Sequence, residues 1–422
     1  MLEVFPETAV VEDGELTIAG LGASQLAAEF GTPLLVYDEK TIVEAARAYR
    51  AAAPEAFIAY GVKAFPNVAV LQLLAGEGLG ADVATLGELT IALRAGIPGD
   101  RLIVHGNNKS VEELEAAARA DAWLVVIDAP DEIELAAEAG VKRILVRTTP
   151  GVEADTHPAI KTAHHGSKFG LPPEQTFEAI GRARDIGLEV AGLHVHIGSQ
   201  ILDDSPAIET VEWLAGFAER CGRELDWAPS VVDLGGGLGI QYVAGRVPPS
   251  ISEFVGTVVW HLNDEWRARG WTSPQLVLEP GRSIVGRAGI TLYEVGAVKE
   301  VMGSTKYVAV DGGMSDNPRP QLYQAQYTGL LANRADEAPA GAYSVAGKHC
   351  ESGDVMIRDL PLPEPRRGDL LAVSATGAYT LTMASNYNLV PRPAAVLVAD
   401  GEARLIRRRE TIDDLLSKDA VE

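Results

Sequence analysis

Apolar and polar positions along this chain follow two different patterns, and the first covers roughly residues 57–282. There, short apolar runs alternate with segments whose apolar positions recur at helical spacing, which is typical of strands joined by helices. The predicted strands are Phe57–Val62, Gly80–Ala84, Arg101–His105, Trp123–Ile127, Arg143–Arg147, Gly192–His196, Val231–Leu234 and Gln275–Leu278. Eight strand–helix units are the number in a (β/α)8 TIM barrel. An open doubly wound sheet is the alternative architecture.

The second pattern begins after Arg282 and consists of short, often alternating apolar runs separated by turn residues. This pattern is typical of an all-β domain. The strands predicted here are Thr291–Lys299, Lys306–Asp311, Ala342–Ala346, Asp369–Val373, Ala394–Ala399 and Ala403–Arg407. We therefore predict a (β/α)8 barrel domain over residues 34–284 and a carboxy-terminal β-sandwich or β-barrel domain over 285–422, which the amino-terminal segment 1–33 joins.

Composition narrows the classes of partner. The formal net charge of -23 disfavours nucleic acid and anionic membranes, which bind clustered Lys and Arg. We find no apolar run long enough for a transmembrane helix, and Met1–Pro6 lacks the basic start of a signal peptide. The two cysteines are far apart in sequence and do not suggest a disulfide framework, so a cytoplasmic location is expected.

Polar residues follow several of the predicted barrel strands, and all of them fall at the carboxyl-terminal rim where barrel active sites are built. Lys63 ends the first strand, the turn Gly235–Gly239 follows the seventh, and Glu279 follows the eighth. The loops after the last two strands usually bind phosphate in such barrels, and glycines let backbone N–H groups approach an anion. A phosphate site together with a desolvated, strand-end lysine suggests pyridoxal 5'-phosphate (PLP) held as a Schiff base, with Glu279 paired to its pyridine nitrogen.

Two histidines lie on the sixth predicted barrel strand. His196 is expected at the barrel mouth, where it can stack on the cofactor ring, and His194 has the same strand parity one layer deeper. We interpret His194 as a hydrogen-bonded interior residue. A metal site would need further ligands, and the sequence offers no clear set, so no metal is predicted.

Further motifs extend these observations over nearly the whole chain. They are Tyr60–Ala64, Asp82–Ala84, His105–Ser110, Ser167–Gly170, Gly192–Gln200, Gly235–Gly239, Glu279–Arg282, His349–Asp354 and Gly377–Tyr379. In this order they resemble the family of fold-type III PLP-dependent decarboxylases, and within it the branch that acts on diaminopimelate. The loop at residues 156–166 departs from the pattern, because Thr162-Ala163 stands where relatives often have Thr-Gly.

The resemblance implies a role for each matching residue. Lys63 would bind the cofactor covalently, His196 would stack on its face, and Cys350 would donate the proton that replaces CO2. The other cofactor-binding residues implied are Asp82, Ser199, Gly235, Gly236, Gly237, Glu279, Gly281, Arg282 and Tyr379. The substrate-binding residues implied are Arg282, Arg319, Tyr323, Glu351 and Tyr379.

The resemblance also implies a reaction and an assembly. The expected reaction is decarboxylation of meso-2,6-diaminopimelate to L-lysine and CO2, by a homodimer in which Cys350 and Glu351 complete the partner subunit's site. Two carboxylates and two ammonium groups on the substrate suit arginines and a carboxylate in the pocket. The pairing of Arg319 with Glu351 argues against ornithine, arginine or carboxynorspermidine as the substrate.

Two other functions stay open at this point. An amino-acid racemase on the same fold would need a second general base on the opposite face of the ring, and Cys350 suits this poorly. A non-catalytic PLP-binding paralogue would be expected to lose Cys350 or the substrate arginines, and neither is lost.

Overall fold

The structure, a computed structural model, describes residues 2–150, 167–301 and 305–420. The departing loop at 156–166 lies outside these ranges. The chain divides into two compact units. The first comprises Met1–Glu44, Ile240–Val247 and Ile284–Glu422, and the second comprises Ala45–Gly239 and Pro248–Ser283.

The amino-terminal elements of the first unit include a small antiparallel sheet of three strands. The elements are β1 (Val10–Glu12), β2 (Glu15–Ile18), β3 (Leu21–Gly22), α1 (Ala23–Phe30), β4 (Leu34–Asp38) and α2 (Glu39–Ala52), of which α2 belongs to the second unit from Ala45 onward. Leu16, Ile18, Leu21 and Leu26 of these elements are buried in a shared apolar core with Leu34 and Val36 of β4. The burial of these side chains is the main stabilising term for this part of the chain.

The second unit is a closed barrel of eight parallel strands, in the order β10-β11-β12-β5-β6-β7-β8-β9. Its strands are β5 (Phe57–Gly61), β6 (Gly80–Val83), β7 (Leu102–Val104), β8 (Leu124–Ile127), β9 (Arg143–Arg147), β10 (Glu189–His194), β11 (Val231–Asp233) and β12 (Gln275–Leu278). The helices are α3 (Val68–Gly76), α4 (Leu86–Arg94), α5 (Val111–Arg119), α6 (Glu132–Glu138), α7 (Pro173–Asp185), α8 (Ser205–Leu225), α9 (Ile251–Ala268) and α10 (Arg282–Val285), the last reaching into the first unit. The predicted barrel is confirmed, and the open sheet is excluded.

Local sequence explains why these elements begin where they do. Asn67 caps α3 by accepting a hydrogen bond from Ala69 N, and capping boxes start α5 at Ser110 and α9 at Ser250. Inside the barrel, small and branched side chains fill the core. Gly192 is required in β10, because a Cβ there would lie 1.7 Å from the backbone oxygen of Val231 in the neighbouring strand.

The remaining elements of the first unit are eight strands, which form a nine-stranded sheet with β4, and two short helices. They are β13 (Gly289–Val301), β14 (Thr305–Val310), α11 (Arg319–Tyr323), β15 (Gly329–Leu331), β16 (Gly341–Ala346), β17 (Val355–Leu362), β18 (Leu370–Val373), β19 (Ala394–Ala399), β20 (Glu402–Arg407) and α12 (Ile412–Leu416). The predicted β-rich domain is confirmed, and each of its six predicted strands is present. Strands β15 and β17 were not predicted.

The position of β4 differs from the predicted domain limits. The sequence places the start of the barrel domain at residue 34, whereas β4 pairs antiparallel with β13 and parallel with β19. The first unit therefore takes in the chain as far as Glu44, and also the segment Ile240–Val247. Across the described ranges, no helix has the length and apolar content that a membrane crossing requires.

Candidate active site

Lys63 lies in a short 3-10 turn directly after β5, at the barrel rim. Its Nζ atom is 2.5 Å from Oδ2 of Asp82 in β6, whose side chain is only 1% exposed. The Lys63 side chain is 46% exposed, so the desolvation that the sequence suggested is absent from this structure. Asp82 instead positions the amine by a charge-assisted hydrogen bond.

Glu279 follows β12 and is buried. Its Oε1 lies 2.6 Å from Nε2 of His105, and its Oε2 lies 3.6 Å from Nε2 of His194. Burial by itself raises the pKa of Glu279, but the charge of His105 and its hydrogen bond outweigh burial and hold that pKa well below its usual range. Glu279 is therefore an ionised carboxylate at the end of the barrel.

His105 was not identified as a site residue from the sequence. Its Nε2 faces Glu279 and lies 3.7 Å from Oδ1 of Asp82, so the proton on this nitrogen faces two carboxylates. A polar path thus runs from Lys63 through Asp82 and His105 to Glu279. The pattern that could have found His105 is its place directly after β7, at the same rim of the barrel where Lys63 lies two residues after the end of β5.

His194 and Asp233 complete a buried cluster with His105 and Glu279. The nearest nitrogen or carboxylate oxygen atoms of the four side chains all lie within 4.8 Å of one another. Both ring nitrogens of His194, and Oδ2 of Asp233, have no hydrogen-bond partner among the described residues. His194 is thus interior as predicted, but not hydrogen-bonded as predicted, because Glu279 lies slightly too far away. Burial lowers the pKa of His194 to about 3, so its ring is neutral.

Asp233 differs from Glu279 in its charge. Burial, and next to it the negative charge of Glu279, raise the pKa of Asp233 well above its usual range. Its Oδ1 accepts a hydrogen bond of 2.8 Å from Gly235 N. We interpret the pair as one anion, Glu279, beside one neutral carboxylic acid, Asp233.

This interpretation predicts how Asp233→Asn changes stability with pH. Because the folded pKa of Asp233 is raised, its contribution in the wild type is fully present below the unfolded pKa of ~4 and is lost as pH rises through the folded pKa. Asparagine does not ionise and loses nothing over that interval. The urea midpoint of Asp233→Asn, relative to wild type, should therefore rise between acidic and neutral pH. Asp100→Asn, at an exposed turn, is the control, and parallel curves for Asp233→Asn and wild type would show that Asp233 is ionised.

The turn after β11 is built from Gly235, Gly236 and Gly237. Gly235 and Gly237 have φ of 63° and 117°, a region that other residues rarely adopt. A Cβ on Gly236 would lie 2.3 Å from the backbone oxygen of Glu279. The turn therefore packs directly on the residue that carries the anion, and only glycine allows that approach.

His196 is tied to this glycine turn. Its Nδ1 accepts a hydrogen bond of 3.3 Å from Gly236 N, so Nδ1 carries no proton. Burial, and then the positive charges of Lys63 and Arg147, lower the pKa of His196 well below its usual value. A neutral ring held in this way is suited to stacking on a flat aromatic ligand.

The other predicted cofactor residues of the barrel follow strands β10 and β12. Arg282 is buried at the start of α10, and its Nη2 donates a 2.9 Å hydrogen bond to Oγ of Ser199. Gly281 lies against β5, because its Cα would be 3.6 Å from a Cβ placed on Gly61. The barrel thus brings together every predicted site residue between Lys63 and Arg282.

A second charged group at strand ends was missed by the sequence analysis. Arg147 ends β9, and its Nη1 lies 3.3 Å from Oδ2 of Asp128, the residue after β8. The Arg147 guanidinium lies 4.6 Å from the ring centre of Phe169, and Asp128 also accepts a hydrogen bond of 2.8 Å from Gly170 N. Both residues carry the same identifying feature as His105, a polar side chain where an apolar strand ends.

Lys109 belongs to the same motif as His105 but is structural. Its Nζ is buried and donates to the backbone oxygens of Gly106 and Val126, each at 2.7 Å, and to Oε2 of Glu132 at 3.0 Å. These contacts use all three donors of an ammonium group. Lys109 therefore holds the loop after β7 in place and has no donor left for a ligand.

Arg319 belongs to the β-rich unit and is buried in the short helix α11. Its Nη1 donates to the hydroxyl of Tyr242 at 2.9 Å and to the hydroxyl of Tyr327. Its guanidinium lies over both rings, at 4.9 and 5.6 Å from their centres. Its Nε has no hydrogen-bond partner among the described residues, so a donor remains for a ligand.

The other predicted residues of this unit lie at turns. Tyr323 ends α11, and Tyr379 has a left-handed φ of 58°. Gly377 fixes the corner before Tyr379, because a Cβ there would lie 1.8 Å from the backbone oxygen of Val285. Cys350 and Glu351 follow β16 and are exposed.

Comparison with known proteins decides the family. A sequence profile described as pyridoxal-dependent decarboxylase, pyridoxal binding domain, matches residues 39–286. The diaminopimelate decarboxylase of Mycobacterium tuberculosis is 47% identical over 425 residues, which cover 96% of this chain and 95% of that protein. The chain belongs to the diaminopimelate decarboxylase family.

A second sequence relative and a solved structure support the assignment to this family. The Bacillus subtilis diaminopimelate decarboxylase is 44% identical over 420 residues, covering 97% of this chain and 96% of that protein. The crystal structure of diaminopimelate decarboxylase from M. jannaschii in complex with L-lysine has a TM-score of 0.91 and 36% identity, covering 99% of this chain and 98% of that one. The family, fold and cofactor predicted from the sequence are confirmed.

PLP is the cofactor of this diaminopimelate decarboxylase family member, and the residues of the barrel fit it. The ionised, buried Glu279 suits a protonated pyridine nitrogen, and the neutral ring of His196 suits its aromatic face. Lys63 offers an amine at the barrel rim, and Gly235 and Gly237 have the left-handed or near-left-handed backbone, with φ of 63° and 117°, that lets successive N–H groups face an anion such as a phosphate.

Proposed function

We propose that this enzyme decarboxylates meso-2,6-diaminopimelate at its D-centre, giving L-lysine and CO2. The observation that carries the reaction class is the barrel rim, where the Lys63 amine and the buried, ionised Glu279 are linked through Asp82 and His105. The choice of substrate is supported by the diaminopimelate decarboxylases of Mycobacterium tuberculosis and Bacillus subtilis, which this chain matches over almost their whole length.

In this proposal the barrel residues bind and orient. Bound PLP supplies the electron sink that accepts the electron pair of the breaking bond between Cα and the carboxylate. Glu279 holds a negative charge at the pyridine nitrogen, and Asp82 holds the Lys63 amine in place. The phosphate is bound by the glycine turn, Ser199, the backbone at Glu279–Arg282 and Tyr379. Because His196 is neutral, it adds no positive charge to the ring face.

The residues of the β-rich unit recognise substrate and return the proton. Arg319, with Arg282 and Tyr323, binds substrate carboxylates, since a guanidinium fork matches a carboxylate in geometry. Glu351 binds the distal ammonium group. After CO2 leaves, the Sγ of Cys350 gives its proton to Cα, so one proton replaces one carboxylate and the product is an amine.

The proposal includes the assembly and the location. We propose a homodimer in which Cys350 and Glu351 complete the partner subunit's site. Cys350 and Glu351 are exposed in the single chain, which supports a role toward another molecule. A proton-donating thiol has to stay reduced, which favours a cytoplasmic location.

The proposal is tested by CO2 release from the PLP-loaded protein. The protein is given meso-diaminopimelate, L-ornithine, L-arginine and carboxynorspermidine in parallel, with amino-acid analysis of the products. Release of CO2 with formation of lysine from diaminopimelate alone is the expected result. Release from another substrate would keep the reaction class and overturn the roles of Glu351 and Arg319. Racemisation without CO2 release, or no reaction with cofactor bound, would overturn the reaction class.

A further inference from the structure

Two consecutive residues, Tyr387 and Asn388, each contact one of the two proposed functional residues of the β-rich unit. The hydroxyl of Tyr387 donates a 2.5 Å hydrogen bond to Oε1 of Glu351. The backbone N–H of Cys350 donates a 3.0 Å hydrogen bond to Oδ1 of Asn388. Neither Tyr387 nor Asn388 belongs to the motifs that the sequence analysis identified.

The backbone at this point is specialised for the contact. Asn388 and Leu389 have φ of 53° and 56°, both in the left-handed region. Asparagine is among the few residues with a side chain that adopt this conformation readily. Asn388 therefore suits its position in two ways, through its backbone and through its acceptor oxygen.

Tyr387 is held on its other side by His349. The two rings are stacked, with centres 5.9 Å apart and an angle of 20° between planes. His349 Nδ1 lies 2.7 Å from Oδ2 of Asp354, whose Oδ1 also accepts a 2.8 Å hydrogen bond from Met314 N. A connected set of contacts thus runs from Asp354 through His349 and Tyr387 to Glu351, although Tyr387 and Glu351 are exposed to solvent.

We propose that Tyr387 and Asn388 are positioning residues with separate tasks: Tyr387 aims Glu351 at the distal ammonium group of the substrate, and Asn388 sets Cys350 for proton return. The inference rests on the proposed function. Glu351 raises the pKa of the Tyr387 hydroxyl, so the hydroxyl stays the donor and Glu351 the acceptor. Because an ammonium group is bound equally before and during the reaction, losing its partner raises KM, whereas a misplaced proton donor lowers kcat.

The Tyr387 half is tested by Tyr387→Phe in the PLP-loaded enzyme, with Tyr307→Phe in β14 as the matched control. The expected result is a KM for meso-diaminopimelate raised about fivefold, with kcat within about twofold of wild type. In a Glu351→Ala background, Tyr387→Phe should have no further effect on KM, because it acts through Glu351. An unchanged KM, a fall in kcat alone, or additive effects in the double variant would each overturn this half.

The Asn388 half is tested by Asn388→Gly, which keeps the left-handed backbone and removes the acceptor. We expect kcat to fall about tenfold with KM unchanged, and Asn388→Asp, which keeps an acceptor oxygen, to restore most of it. Asp400→Gly is the control, because Asp400 is exposed and also has a left-handed φ of 48°. A normal kcat for Asn388→Gly, or an equal loss in Asn388→Asp, would overturn this half.

A readout without turnover separates this inference from the proposed function. The chain has two cysteines, and burial raises the pKa of the Cys221 thiol to about 11, so iodoacetamide should label the exposed Cys350. The labelling rate should change in Asn388→Gly and stay near the wild-type value in Asn388→Asp and Tyr387→Phe. If wild type does not decarboxylate diaminopimelate, the proposed function fails, whereas labelling still decides whether Asn388 sets Cys350. Equal labelling rates in wild type and Asn388→Gly would overturn that contact.

Discussion

Lys63→Ala is expected to lose covalently bound PLP and at least about a thousandfold of turnover, because a group that bonds to the cofactor is not replaced by its neighbours. The amine of Lys63 lies 2.5 Å from Asp82 at the rim of the barrel. Among the described residues, the other lysine of this region, Lys109, has its three donors engaged. The measurements are the absorbance of bound cofactor after gel filtration and the rate of CO2 release.

The matched control is Lys142→Ala, which removes an exposed lysine of the same barrel unit. This variant should keep both cofactor and turnover. If Lys63→Ala kept a covalently bound cofactor, another lysine would have to be the attachment site. If Lys63→Ala bound PLP non-covalently and kept normal turnover, the proposed role of the amine would be wrong.

Cys350→Ala should keep bound cofactor and lose about a hundredfold or more of turnover, the range that removal of a positioned general acid produces. The cofactor should be unaffected because the barrel residues that fit PLP are all present. Cys221→Ala is the control, since Cys221 is buried in α8. Near-normal turnover in Cys350→Ala would remove Cys350 from the role of proton donor.

Mixing the two inactive variants tests where Cys350 acts. If Cys350 completes the partner subunit's site, a mixed dimer of Lys63→Ala and Cys350→Ala contains one site with both residues intact. Random exchange of equal amounts should then restore about one quarter of the wild-type activity, half of the dimers being mixed and each having one of two sites intact. No recovery after verified subunit exchange would place Lys63 and Cys350 of the same chain in one site.

Much of the barrel could be predicted because its information is local. Each barrel strand is a short apolar run, whose periodicity and length differ from those of the neighbouring helices. Each of the eight observed barrel strands overlaps a predicted one. Polar residues directly after strands identified Lys63 and Glu279. The same criterion, applied to every strand, would also have found His105, Asp128 and Arg147. This criterion could not give the charge of each group. Glu279 and Asp233 are both carboxyl groups at strand ends, and it is their surroundings in the fold that leave Glu279 ionised and Asp233 neutral.

The β-rich unit was harder to predict for physical reasons. Strand β17 carries Arg358, Asp359 and Pro361 within an apolar run, and Asp359 has a left-handed φ of 53°, so the alternation typical of a strand is interrupted. The contact of Arg319 with Tyr242 joins residues 77 positions apart and leaves no local pattern. Such pairs depend on the tertiary fold, which periodicity does not encode.

The pairing of β4 with β19 has a consequence for the order of events on the ribosome. The barrel can close once β12 has been made, because β12 pairs with β5. Strand β4, made earlier than any barrel strand, gains its parallel neighbour only when residues 394–398 emerge. One edge of β4 therefore keeps its backbone N–H and C=O groups unpaired through most of translation, when they can pair with other nascent chains. A chain halted before residue 394 would keep that edge unpaired.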